Sequence, residues 1–297
     1  MIDNKLQTLI QVAETGSYTK AALALSLSQP AVSQHIKQLE NELKIRLFNR
    51  GNGALKLTKE GEIALKYAKR IQNLYQGLEQ ALLDAKHQAT RLFVGITHTS
   101  ESNILAEVLA SYANEHPGVS IKIFSDSITN LNAMLKTFEI DMAIVDGNII
   151  DTDFNSVLLD TDSLVLAMSN HNPLAKKSMV CLDELKREKL ILRLPNSGTR
   201  NLFISHLHSN NLSLEEFNVI LEIDNVATIK DLIRRDFGVS ILPKSACMDE
   251  LRKGKMTALP VENLSMIREV KLLYHKDFQH PEIVDGITKL YYSMVEK

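Results

Sequence analysis

From residue 58 to residue 88 the chain has no proline and only two glycines, Gly61 and Gly77, while Tyr67, Ile71, Leu74, Leu78, Ala81 and Ala85 recur at spacings of 4, 3, 4, 3 and 4. That repeat puts one apolar seam along a continuous helix. Roughly thirty helical residues span about 45 Å, more than a small domain needs for its own core. The helix therefore divides the chain into a front and a back. Its seam predicts a dimer formed through this helix, the alternative being a long helix packed on its own domain.

The front carries the signals of short helices. Residues 4–15 place Leu6, Leu9, Ile10 and Ala13 on one face, and Gly16 supplies a C-terminal stop. Ser17 caps a second helix through TKAALALS, whose alanines allow close approach, and Ser28 with Pro30 opens a third. In the third, Val32, Ile36, Leu39 and Leu43 form one stripe expected to be buried. The opposite face displays Gln29, Ser33, Gln34, Lys37 and Gln38, amides and hydroxyls suited to base edges and a lysine suited to phosphate. Taken alone, such a face is more simply a solvated one. After Lys44, IRLFNRGNGALKLT holds two short apolar runs around a turn rich in Gly and Asn, the pattern of a β-hairpin wing bearing Arg50 and Lys56.

From Arg91 onward, short β-rich runs alternate with helical segments, which predicts an α/β domain with mostly parallel strands. RLFVGIT, VSIKIFS, DMAIV, SLVLAMS, KLILRL, FNVILEI, GVSIL and REVKLLY read as strands, with helices near 104–115 and 131–138 between the first three. No repeat or low-complexity segment interrupts them.

The charge is unevenly placed. Residues 1–90 hold 12 Lys and Arg against 8 Asp and Glu, and the remainder 22 against 28, so a basic front precedes an acidic back. This suits a polyanion-binding head on a soluble body. The start MIDNKLQTLI lacks the basic and apolar regions of a signal peptide, and no stretch is long and apolar enough to span a membrane, so a cytoplasmic location without membrane contact is expected. Cys181 and Cys247 have neither metal-site spacing nor the numbers for a disulfide framework.

GSYTKAALALSLSQPAVSQHIKQLENELKIRLFNR followed by LKLTKEGE resembles the helix-turn-helix signature of the LysR family of transcription regulators, and the resemblance covers nearly the whole chain. It is carried by Gly16 and Ser17, by Ala21 and Ala22, by the run Ser28-Gln29-Pro30-Ala31-Val32-Ser33, by Leu39-Glu40 and Leu47-Phe48, and by Arg50, Leu57, Thr58 and Gly61. Lys44 and Asp236 stand where the family usually has glycine, so both turns must be made by less permissive residues. NSGTR at 196–200 and IKDLIRRDFGVSILP at 229–243 resemble effector-domain motifs more loosely.

The resemblance implies an α/β protein with an α-rich N-terminal winged helix-turn-helix (1–58), a linker dimerisation helix (59–88) and a periplasmic-binding-protein-like (type II) domain of two α/β subdomains (89–161 with 267–297, and 162–266). The chain would cross between the subdomains near Thr161 and Met266. It implies double-stranded DNA as a partner, met by Thr19, Ser28, Gln29, Pro30, Ser33, Gln34, Lys37, Arg50 and Lys56, and a homodimer that pairs into a homotetramer, with room for RNA polymerase. A small anionic effector would lie between the subdomains against Thr97, His98, Thr99, Ser100, Ser127, Thr129, Asp146, Ser197, Gly198, Thr199, Arg200, Asn225 and Thr228. Helix starts at Thr99-Ser100 and at Ser197-Gly198-Thr199 would face one another and favour an anion, with Glu101 turned to solvent.

Two other readings compete. An enzyme would need a catalytic constellation, and the chain has no Gly-rich phosphate loop, GxSxG, HExxH or CxxC. His206 and His208, two apart on a helix, would point in nearly opposite directions, so neither metal nor cofactor is expected. A solute-binding protein would match the back but leaves the front and the missing export signal unexplained.

Overall fold

The computed structural model describes residues 3–49, 55–87, 89–100, 104–147, 149, 151–195 and 197–295, without the side chains of Ala85 and His87. The chain forms two compact units, one of Met1–Arg91 with Lys136–Glu139, the other of Leu92–Leu135 with Ile140–Lys297.

The first unit begins with α1 (Asn4–Thr15), α2 (Tyr18–Ala24) and α3 (Gln29–Leu43). Gly16 ends α1 in the left-handed region at φ 63°, Ser17 Oγ accepts from Lys20 N–H, and Ser28 Oγ accepts from Ala31 N–H. Leu9, Val12, Ala21, Val32, Ile36 and Leu47 are buried together, and the alanine lets three helices share so small a core. Lys44 ends α3 at φ 56°, the left-handed turn expected of it. Glu40 Oε1 then accepts from Leu47 N–H at 2.7 Å, holding the first wing strand against α3. Phe48 pairs antiparallel with Leu57. The wing tip, residues 50–54 with Arg50, lies outside the described residues.

Thr58 caps α4 (Lys59–His87) by accepting from Gly61 N–H at 2.9 Å. The seam side chains Tyr67, Ile71, Leu74 and Leu78 are about half exposed, and Ile63, Leu82 and Leu83 extend the apolar surface. Leu43, expected inside, is 47% exposed. It lines an open apolar groove of about 450 Å³ with Leu6, Ile45, Ile63, Tyr67 and Ile71.

An added Cβ at Gly61 would lie 2.1 Å from the Leu47 carbonyl oxygen. That oxygen also accepts from Thr58 N–H at 3.0 Å, so it cannot simply move away. Alanine gains about 1 kcal/mol over glycine in a helix, yet a backbone clash has no rotamer to relieve it. Gly61→Ala is therefore expected to destabilise the protein by a net of about 1–3 kcal/mol in urea denaturation. A gain in stability would show that the α4 start has slack.

The second unit contains β1 (Thr90–Thr97), α5 (Leu105–Glu115), β2 (Val119–Asp126), α6 (Ile128–Lys136), β3 (Met142–Asp146) and β4 (Phe154–Met168). There follow α7 (Leu182–Leu185), β5 (Lys189–Leu192), α8 (Gly198–Ser209), β6 (Asn218–Glu222), α9 (Val226–Arg234) and β7 (Ser240–Pro243). It closes with α10 (Lys244–Arg252), β8 (Thr257–Leu259), β9 (Ile267–His275) and α11 (Pro281–Val295). Strand order is β2-β1-β3-β9-β4-β7, with β8 on β4 and a separate β5-β6 pair.

Two of this unit's hydrophobic cores mark two lobes. Val94, Leu105, Met142, Leu159, Leu272 and Val284 share one core, and Leu164, Leu166, Leu190, Phe203, Ile241 and Met266 share another. β4 passes from the first to the second between Leu159 and Leu164, and β9 returns between Met266 and Val270. The expectation of mostly parallel strands needs correction. β1-β3 and β5-β6 are parallel, but β9 runs antiparallel to β3 and β4, and β4 antiparallel to β7 and β8. Two strands that carry the chain out and back must oppose each other. The first half of β4, unread in the sequence, holds Asn155, Ser156, Asp160, Thr161 and Asp162 and gains its order from nine backbone-paired positions with β9 rather than from apolar alternation. Asp236 makes its turn at φ 63°, as the glycine-like position requires.

Candidate functional site

On the first unit, Thr19, Ser28, Gln29, Pro30, Ser33, Gln34, Lys37, Gln38 and Lys56 are all exposed. The polar side of α3 is therefore open along its length, while Thr8 Oγ1 and His35 Nδ1, 2.9 Å apart, tie α3 to α1. Among the described residues Lys37 and Lys56 make no ion pair, which leaves both charges available to an anion. Arg50 lies outside the described residues.

On the second unit, a cavity of about 570 Å³ opens between the lobes. It brings together nine of the expected residues: Thr97, His98, Thr99, Ser127, Thr129, Asp146, Ser197, Gly198 and Thr199. The other four do not line it. Ser100 Oγ is 2.9 Å from Thr97 Oγ1 and buried, Arg200 pairs with Glu222 at 2.6 Å, and Asn225 caps α9 by accepting from Thr228 N–H at 2.9 Å. A 3-10 turn begins at Ser100, its continuation through Glu101 lies outside the described residues, and α5 follows at Leu105 behind Ile104. The start of α6 also lies at the cavity, where Ser127 Oγ accepts from Asn130 N–H at 3.2 Å. Both helix N-termini offer unsatisfied N–H groups and a positive dipole end.

Seven further residues line the cavity: Asp126, Ile128, Asn130, Arg193, Leu194, Asn201 and Asp224. Arg193 is 3% exposed; its Nη2 donates to Asp224 Oδ1 at 2.9 Å, while Nε and Nη1 have no partner. Its signal in the sequence is an arginine at the end of the apolar run KLIL, a placement that demands a partner when buried. Thr199 Oγ1 is likewise buried and unpartnered. Asp146 is neutralised behind the cavity: it accepts from Thr99 Oγ1 and pairs with Arg268, whose Nη2 reaches Asp162 at 3.0 Å. Asp162 also accepts from Ser245 Oγ at 2.7 Å on α10, so one guanidinium links β3, β4 and α10.

Among the described residues no group of three or more His, Cys, Asp or Glu is placed to hold a metal ion, and no helix is long and apolar enough to cross a membrane. Both cysteines are free, and burial pushes the Cys247 thiol up to about 12.

Residues 4–62 match the family described as bacterial regulatory helix-turn-helix protein, lysR family, and residues 85–287 match the LysR substrate binding domain. The chain belongs to the LysR family. It is a LysR-type transcriptional regulator with an effector-binding domain. Similar proteins include a probable RuBisCO transcriptional regulator of Trieres chinensis, 28% identical over 287 residues (95% of this chain, 93% of the relative), and one of Phaeodactylum tricornutum, 29% identical over 277 residues (92% and 90%). The LysR fold recurs in the structure of CbnR, a LysR family transcriptional regulator, with a TM-score of 0.67 at 18% identity over 99% of each chain. Full-length OxyR from Pseudomonas aeruginosa aligns with a TM-score of 0.64 at 22% identity, covering 98% of this LysR chain and 94% of its own.

Proposed function

We propose that this regulator acts in the cytoplasm as a homodimer joined through α4, and as a tetramer of two such dimers, placing two α3 helices in successive major grooves of a dyad operator. A small molecule held in the cavity, by an anionic group on Arg193 and the α8 start, shifts the spacing of the paired heads and leaves chemically unaltered. The observation that carries the reading is the open polar face of α3, with Gln29, Ser33, Gln34 and Lys37 exposed and Lys37 without a counter-ion among the described residues. Related regulators support it: CbnR has been solved in complex with its target DNA. Regulation requires that the effector prefer one arrangement of the dimer pair, and a few kcal/mol of differential affinity redistributes the populations.

The two side-chain types on α3 should behave differently. Lys37→Ala is expected to weaken all duplexes and flatten the salt dependence, whereas Gln29→Ala should cost about 1–3 kcal/mol on the specific site alone. Gel shifts with operator and random DNA at several salt concentrations make the comparison. Equal losses from both variants on both DNAs would remove the assignment.

A further inference from the structure

The effector cavity is charged in a pattern that a plain anion does not match. Three carboxylates line it, and they are not equivalent. Asp146 is paired with Arg268 and Asp224 with Arg193. Asp126, at the end of β2, accepts from Ser127 N–H at 2.6 Å and Asn130 Nδ2 at 2.8 Å, both on the same oxygen, and no cation pairs with it among the described residues. On the opposite lobe Arg193 is buried with two unpartnered nitrogens, and its single counter-ion, Asp224, is 56% exposed and so half in water. Thr199 Oγ1, buried without a partner, lines the same cavity from the first turn of α8. Unsatisfied donors on a buried charge are costly unless an acceptor arrives.

We propose that the cavity binds a small zwitterion of the amino-acid class, its carboxylate on Arg193, Thr199 and the N-terminus of α8, and its ammonium on Asp126. This rests on the cavity being the effector site. The two charges of such a ligand would each meet the opposite charge on a different lobe, so one molecule ties the lobes together. A dianion of the same size would bring its second negative group against Asp126, and like charges in a confined site repel. The volume, about 570 Å³, lies within the range of small-ligand pockets.

The test uses the full chain and three matched probe sets: the common L-amino acids, their N-acetyl derivatives, which keep only the anion, and their methyl esters, which keep only the ammonium. Thermal shift finds the probes that bind, and calorimetry measures them. At least one free amino acid is expected to raise Tm, with its acetylated and esterified forms weaker by about tenfold or more. Asp126→Asn, isosteric and able to keep both its neutral hydrogen bonds, should weaken the free amino acid about tenfold and leave its N-acetyl form unaffected. Arg193→Lys and Thr199→Ala should weaken both forms, with circular dichroism to confirm folding. No shift from any free amino acid overturns the proposal. So does N-acetyl acid or succinate binding as tightly as the best amino acid; if Arg193→Lys and Thr199→Ala still weaken that binding, the cavity remains the effector site. Binding that ignores both substitutions removes the cavity reading as well.

Discussion

Replacing Leu74 and Leu78 by glutamate is expected to turn the regulator into monomers that no longer hold a two-half-site operator. Both leucines lie on the seam of α4 and are 53% and 55% exposed in the single chain. Neither belongs to a hydrophobic core of its own chain, so the circular dichroism spectrum should stay as it was. In a dimer each buried leucine contributes about 1.5–3 kcal/mol, and two helices bring four of them. A carboxylate forced into such a seam adds a desolvation penalty of several kcal/mol, and the like charges face each other. The sum exceeds what an interface of ordinary affinity can lose. Each monomer keeps one α3 and forfeits the second half-site and the gain from binding both at once. Sedimentation velocity and gel shift report the two effects separately. A double variant that sediments and binds like the wild type would show that the long helix packs elsewhere.

Arg268→Leu is expected to destabilise the second unit by about 3–5 kcal/mol, because removing one partner of a buried ion pair leaves the other charges uncompensated. Here the loss is compounded. The side chains of Arg268, Asp146 and Asp162 are all 5–6% exposed, and the one guanidinium faces both carboxylates. Ser245 remains to bond Asp162, but a neutral hydroxyl does not replace a cation. Adding Asp146→Asn and Asp162→Asn to Arg268→Leu should restore a large part of the stability, since buried groups that carry no charge need no counter-ion. Urea denaturation monitored on the full chain measures each step. A loss below about 1 kcal/mol from the single variant, the level of an exposed ion pair, would mean that water reaches the site.

What was legible in the sequence is local in origin. Ser17 and Ser28 cap helices by bonding N–H groups three residues away. Lys44 and Asp236 turn the chain where glycine usually does, and the α4 seam follows from helical periodicity alone. Such signals act within a turn or two, so the residues that decide them are neighbours in the chain. The apolar row that lies exposed on α4 is the seam that the same periodicity marks. Leu43 lies exposed against expectation for a related reason: periodicity says which face a residue occupies, but not whether another element of the chain covers it.

Tertiary structure decided the cavity. Ser197 and Thr199 were readable as a helix start and Ser127 as a turn, yet the sequence offers Arg200 as the cationic candidate and passes over Arg193. The fold separates them: Glu222 takes Arg200, while Asp224 leaves two nitrogens of Arg193 without partners. Likewise Asp146 read as a ligand contact, and only the return of β9 beside β3 brings Arg268 to neutralise it. These charges belong to strands and helices far apart in the chain. Which of them end paired and which stay open depends on the crossing of β4 and β9 between two cores, and electrostatic interactions at that range are set by three-dimensional distance and burial, neither of which a residue's sequence neighbours encode.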